Sequence, residues 1–255
     1  MAEEQPKGGA ADWLRPGELA IGAIDIGTRF YCGCVIAYTP AERPPPKSRK
    51  RTLDETVAPP PDLRQEAVRV LSWRYFDLTM GRVIGAYDAP LHRPVRNTVY
   101  HGGREAAPED HTDFDDARAL YPLMREWACI YETCCPIYTE VQWDAHARNG
   151  KPPIMYGLSL VTAAVIKICD GEHRVVGRVV AKTQGKAGVP KGQHVKNGDK
   201  EHKKLSIAHM YTMLRQNKDP GLAHIQAIRD AFPVKKEEDH ADTYNMALFR
   251  GREDY

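Results

Sequence analysis

The sequence predicts an α/β fold built on a mixed sheet, and three observations carry that expectation. Residues 21–38 read as an apolar strand, a tight turn and a second β-rich strand. A helical pattern over 113–132 leads into a short strand at 137–143, and a strongly apolar helix occupies 153–169. A helix followed by a strand that returns toward the first strands is a right-handed crossover by default, so the later strand is expected to lie parallel to the first.

The hairpin comes first because it contains an anomaly. Ile21-Gly-Ala-Ile-Asp-Ile26 is apolar almost throughout, which suits a central strand buried on both faces. Asp25 interrupts it, and a lone buried carboxylate costs several kcal/mol unless it is paired or holds a cation. Two readings stand at this point. Asp25 either ends the strand and caps the turn at Gly27, or is presented to a metal ion from the centre of the sheet.

Composition narrows the class. The 255 residues suffice for one sizeable domain or two small ones, and 42% hydrophobic with 27% charged residues is ordinary for a water-soluble chain. A net charge of +2 does not by itself announce a nucleic-acid partner. No run approaches the about 18 apolar residues of a membrane span, and Met-Ala-Glu-Glu-Gln lacks the features of a signal peptide. An intracellular, non-secreted protein with no membrane partner is expected. The six cysteines form no C-x-x-C pair, and Cys32 and Cys34 alternating on one strand read as buried thiols.

Along the chain, residues 1–17 form a polar, glycine-rich tail preceding a domain over 18–255. Residues 40–62 combine proline and charge too densely to pack and read as a disordered insertion. Its Lys47-Ser-Arg-Lys-Arg51 patch is read first as a solvated loop, with nuclear targeting or phosphate contact as the functional alternatives. A β pattern resumes over 67–80 and at Val83 and Ile84, after which 85–112, broken by Pro90, Pro94, Gly102, Gly103 and Pro108, reads as a second insertion in loop form. In the 137–143 strand, Glu140 can stand beside Asp25 if the crossover holds, or face outward from an edge. A strand is expected at 175–180.

Residues 182–204 change character. Lys182, Lys186, Lys191, Lys196, Lys200, Lys203 and Lys204 are set among glycines against only Asp199 and Glu201, a flexible positive loop suited to phosphate backbone or a solvated linker. A helix follows over 205–216. The last helix, 235–249, sets Asp239 and Asp242 three residues apart on one face beside an apolar stripe of Ala241, Tyr244 and Leu248. Glu237, Glu238 and Asp239 also suit a helix N-terminus, but that does not explain Asp242. His240 lies elsewhere on the wheel.

Asp25, Glu140, Asp239 and Asp242 are hard oxygen donors, the chemistry of Mg²⁺ or Mn²⁺ rather than zinc. Two such ions would act on a phosphodiester, and sharing them would require the four carboxylates to converge to roughly 8 Å.

The order and surroundings of these residues resemble the RuvC-like Holliday junction resolvases of the ribonuclease H-like superfamily, in particular the branch of poxviruses and large DNA viruses. The resemblance rests on Ala23-Ile-Asp25-Ile-Gly-Thr28 with Gly33-Cys-Val-Ile36, Tyr138-Thr-Glu140-Val-Gln142, and Asp239-His-Ala-Asp242-Thr-Tyr-Asn-Met-Ala-Leu248. It spans about residues 20–250 apart from the two insertions. It implies a mixed five-stranded sheet flanked by helices, and a homodimer that cuts opposed strands of a four-way DNA junction with Mg²⁺, two ions per site. In that mapping Asp25, Glu140, Asp239 and Asp242 are metal ligands, and Lys203 or Lys204 neutralises the scissile phosphate. The resemblance further implies that Arg29, Gln142 and the basic run contact DNA, and that the cellular place is the nucleus or a cytoplasmic viral replication site. Two other classes remain. Asp-Ile-Gly-Thr also opens the phosphate hairpin of actin-like and sugar-kinase ATPases, and a DNA-binding scaffold without cleavage would share the basic surface.

Overall fold

A computed structural model describes residues 13–27, 29–41, 66–78, 81–89, 93–95, 120–124, 136–140, 154–168, 171–176, 198–231 and 237–255. The hairpin forms as the apolar pattern dictates: β1 (Leu19–Ile26) pairs antiparallel with β2 (Phe30–Thr39), and Asp25 sits inside the strand opposite Cys32. The strand-ending reading of Asp25 is thereby corrected. Gly27 allows the tight return, because a Cβ there would lie 2.2 Å from the Phe30 carbonyl oxygen.

From β2 the sheet grows outward through β3 (Ala67–Asp77), β4 (Arg82–Asp88) and β5 (Arg93–Val95), all antiparallel. On the other side of β1 lie β6 (Pro136–Glu140) and β7 (Glu172–Val176), both parallel. The order is β5-β4-β3-β2-β1-β6-β7. The mixed sheet is as expected, but among the described residues it has six strands and the three-residue β5 where five strands were expected.

The difference arises where glycine and proline suggested loop. Gly85 is accommodated in β4 opposite Tyr75, and Pro94 lies on the outermost strand, where a missing N–H disrupts least. The start of the 85–112 segment is therefore sheet rather than loop. β7 begins at Glu172 rather than at 175, its polar Glu172-His-Arg start suiting a position with one side toward water, and 177–180 lie outside the described residues.

The longer helices among the described residues are α1 (Ile154–Ile168), α2 (Gly198–Gln216), α3 (Gly221–Ala231) and α4 (Glu237–Asp254). Residues 120–124 are helical within the expected 113–132 helix. α2 starts well before residue 205, so Lys200, Lys203 and Lys204 belong to a helix and not to a flexible loop. α3 was not anticipated. No helix among the described residues is long and apolar enough to cross a membrane.

The sheet separates two cores. Ala20, Ile24 and Ile26 of β1 join Tyr31, Val35 and Phe76 and pack against Leu158, Val165 and Ile166 of α1. Ile21 and Ala23 join Cys32, Cys34 and Ile36 on the opposite face, covered by Met210 and Leu214 of α2, Ile225 of α3 and Ala241, Tyr244 and Leu248 of α4. Alternate β1 residues thus face opposite helical layers, which explains its nearly continuous apolar run. α4 lies across β1 and β2 and is buried at almost every position from His240 to Leu248. Trp13 and Leu14, within the stretch expected to be tail, pack on the first core, and Arg69 donates to the Trp13 carbonyl at 2.8 Å. Residues 1–12 and 42–62 lie outside the described residues.

Candidate active site

Strand alternation aims the first carboxylate. Ile21 and Ala23 face α4, and Asp25, two positions further along, projects to the same side. Tyr138 of β6 also belongs to that face, so Glu140 follows it. The parallel register Gly22↔Ile137, Ala23↔Tyr138, Ile24↔Thr139 brings Asp25 and Glu140 to the next rung, on backbones about 4.8 Å apart. Above this end of the sheet, the first turns of α4 carry Asp239 and Asp242.

The electrostatics tie the four together. Burial pushes the Asp25 carboxyl well above the usual carboxylate range, and the charges of Asp239, Asp242 and Glu140 push it further, while Lys203 opposes them. Asp242 is raised to about 6 by burial and by Asp239, with the Ser206 hydrogen bond and Lys203 acting the other way. Cys32, opposite Asp25, is held as a thiol by burial and by the Asp239 charge, and its Sγ lies 3.7 Å from Thr243 Oγ1. A region that raises its own carboxyls in this way favours a cation.

The carboxylates share a place but not yet a ligation shell. Among the described residues no three His, Cys, Asp or Glu side chains stand close enough to hold a metal ion as they are. Mutual repulsion opposes tighter approach of like charges.

Polar neighbours orient the two aspartates of α4. The Tyr75 hydroxyl donates to Asp239 Oδ2 at 3.0 Å. Burial and the Asp239 charge raise the Tyr75 phenol, which keeps it a donor. The Ser206 hydroxyl donates to Asp242 Oδ1 at 3.3 Å, and Asn245 Nδ2 donates to Ser206 Oγ at 2.8 Å. His209 Nδ1 lies 2.9 Å from Asn245 Oδ1. Neither Tyr75 nor Ser206 was legible beforehand: Tyr75 reads as one more β residue and Ser206 as one more helix position.

The basic residues divide. Lys203 Nζ lies 3.0 Å from Glu238 Oε1, a bond that raises its pKa, and Lys204 is exposed on the same helix. Arg29 reaches Asp77 at 3.5 Å and covers the Phe30 ring at 4.8 Å. Lys200 lies in the first turn of α2, but its side chain lies outside the described residues, as do Gln142, Lys182, Lys186, Lys191 and Lys196 entirely. His240 is core, its ring 5.4 Å from Trp73 and 4.9 Å from Tyr75.

No protein-family model matches the chain. No curated protein matches it either. Among solved structures it is similar to the one described as "Thermus thermophilus RuvC structure", with 12% identity over 90% of this chain and 92% of that chain and a TM-score of 0.43.

Proposed function

We propose that the chain is a metal-dependent endonuclease that resolves four-way DNA junctions by paired phosphodiester hydrolysis, acting as a homodimer. The observation that carries this reading is the gathering of Asp239, Asp242, Glu140 and Lys203 around Asp25, from two parallel strands and two helices. Asp25, Glu140, Asp239 and Asp242 would hold Mg²⁺, with Mn²⁺ able to replace it. Bound there, such ions supply Lewis-acid polarisation of a phosphodiester and offset the charge that builds up during hydrolysis.

The chain's own groups do the rest. Lys203 brings a positive charge to the rim of the carboxylate set, where an anionic transition state would gain most. Lys204, and the lysines at 182, 186, 191, 196 and 200, would neutralise DNA phosphates, as would Arg29, with Gln142 at the strand end. Tyr75 and Cys32 stay protonated and add no charge to an already acidic place. A DNA-processing role accords with a nucleus or a cytoplasmic viral replication site.

The Asp-Ile-Gly-Thr hairpin also suits a nucleotide-binding ATPase. The three further carboxylates acting on Asp25 favour the nuclease, because a set of four hard donors suits more than one divalent cation acting on a single phosphodiester.

The test incubates the purified protein with a labelled four-way junction or a matched duplex in Mg²⁺ and maps the products. Paired, symmetric nicks in the junction, absent from the duplex, are expected. Binding without cutting in Mg²⁺ and Mn²⁺ would leave the scaffold reading, and nucleotide hydrolysis without DNA would replace the nuclease with the ATPase.

A further inference from the structure

Asp239 and Asp242 are on one helix face, yet each is held from a different element. Asp239 is bonded from the sheet by Tyr75 of β3, a residue 164 positions away in sequence. The Tyr75 ring is itself fixed, stacked on Phe30 at 5.6 Å and packed on His240 at 4.9 Å. Asp242 is bonded from α2 by Ser206, whose hydroxyl and carbonyl both accept from the Asn245 amide, at 2.8 Å and 3.0 Å. A hydrogen bond to one carboxylate oxygen sets the plane of the group, and so the direction in which it can meet a ligand. An aspartate without such a bond samples several rotamers, and gathering it costs affinity.

We propose that Tyr75 and Ser206 are the positioning residues of the α4 aspartate pair, fixing the two carboxylates in the orientation in which they take a divalent cation. The assignment rests on the nuclease reading. It extends that reading to two residues that touch neither the cation nor the DNA. Tyr75 couples cation capture to the packing between β2 and β3, and Ser206 couples it to the docking of α2.

The test uses the full chain with Tyr75→Phe and Ser206→Ala. The first keeps the ring and its stacking while removing the hydroxyl, and circular dichroism melts without metal report whether each variant folds. Mn²⁺ binding is titrated by calorimetry in the absence of DNA, and junction cleavage is followed against Mg²⁺ concentration. Each variant should bind Mn²⁺ about tenfold more weakly and need correspondingly more Mg²⁺ for half-maximal cleavage. Cleavage should recover at high Mg²⁺, with junction affinity unchanged. A folded Tyr75→Phe with unaltered Mn²⁺ affinity overturns the assignment of Tyr75, and the same result for Ser206→Ala overturns that of Ser206. A cleavage loss that excess Mg²⁺ does not rescue, with metal affinity intact, overturns the proposal in favour of direct contact with the reacting groups. If the unsubstituted protein takes up no Mn²⁺, the nuclease reading falls, and this proposal falls with it.

Discussion

Lys203 on α2 reaches Glu238 on α4 at 3.0 Å, immediately before the first aspartate of the candidate site. The contact anchors a lysine whose charge acts on both Asp25 and Asp242. Lys203→Gln should reduce junction cleavage at saturating protein by about a hundredfold or more, the scale of losing one preorganised charge at a transition state. Binding should weaken only slightly, with the log–log salt slope falling by about one unit, and by about two when Lys204 is also neutralised. An unchanged slope would take these lysines off the phosphates.

Asp25 is pushed well above the usual carboxylate range by burial and by three carboxylate neighbours. Asp25→Asn removes the ionisable group while keeping the shape. The variant should bind junctions, fail to cut them, and unfold at higher denaturant than the parent without metal, by about 1–2 kcal/mol at neutral pH. Added Mg²⁺ should stabilise the parent and not the variant. Cleavage at the parental rate would remove Asp25 from the mechanism.

His224 gives the protein an acid sensitivity independent of the carboxylates. Buried between Trp73 and Tyr87, with no hydrogen bond to either ring nitrogen among the described residues, it has its pKa lowered to about 3 by burial and by the His240 and Arg74 charges. The unfolded chain, with an ordinary value of 6.5, takes up the proton first on acidification. The contribution to stability is therefore complete above that value and is lost as pH falls toward 3. Urea melts at pH 7.5 and 4.5 should show His224→Phe losing about 2–3 kcal/mol less than the parent over this interval. Parallel losses in both proteins would contradict a neutral buried imidazole.

Gly27 closes the hairpin that carries Asp25. A Cβ at this position would stand 2.2 Å from the Phe30 carbonyl oxygen, a backbone atom that cannot swing aside. Gly27→Ala should cost about 1–3 kcal/mol in a denaturant melt and displace Asp25 from its rung beside Glu140. Cleavage should fall more than the folded fraction does. Wild-type stability in this variant would mean that the turn relaxes freely.

Much of this was legible in local pattern. The apolar run around Asp25 marked a central strand because a strand covered on both faces has no polar side to show. The spacing of Ala241, Tyr244 and Leu248 marked the buried face of α4, which put Asp239 and Asp242 at its start. The helix at 154–168 was equally plain, with apolar residues at helical spacing throughout.

What the tertiary structure decided were features whose stability comes from partners distant in sequence. The lysine-rich start of α2 reads as loop because its glycines and like charges disfavour an isolated helix, yet it pairs with α4 through Lys203–Glu238 and Asn245–Ser206. β4 extends through Gly85, and β5 forms around Pro94, because an existing sheet edge supplies the hydrogen bonds. The register that brings Asp25 beside Glu140, and the bond from Tyr75 to Asp239, join positions more than a hundred residues apart. A periodicity in sequence reports which face of an element is buried; which other element covers that face is settled only when all of them pack at once.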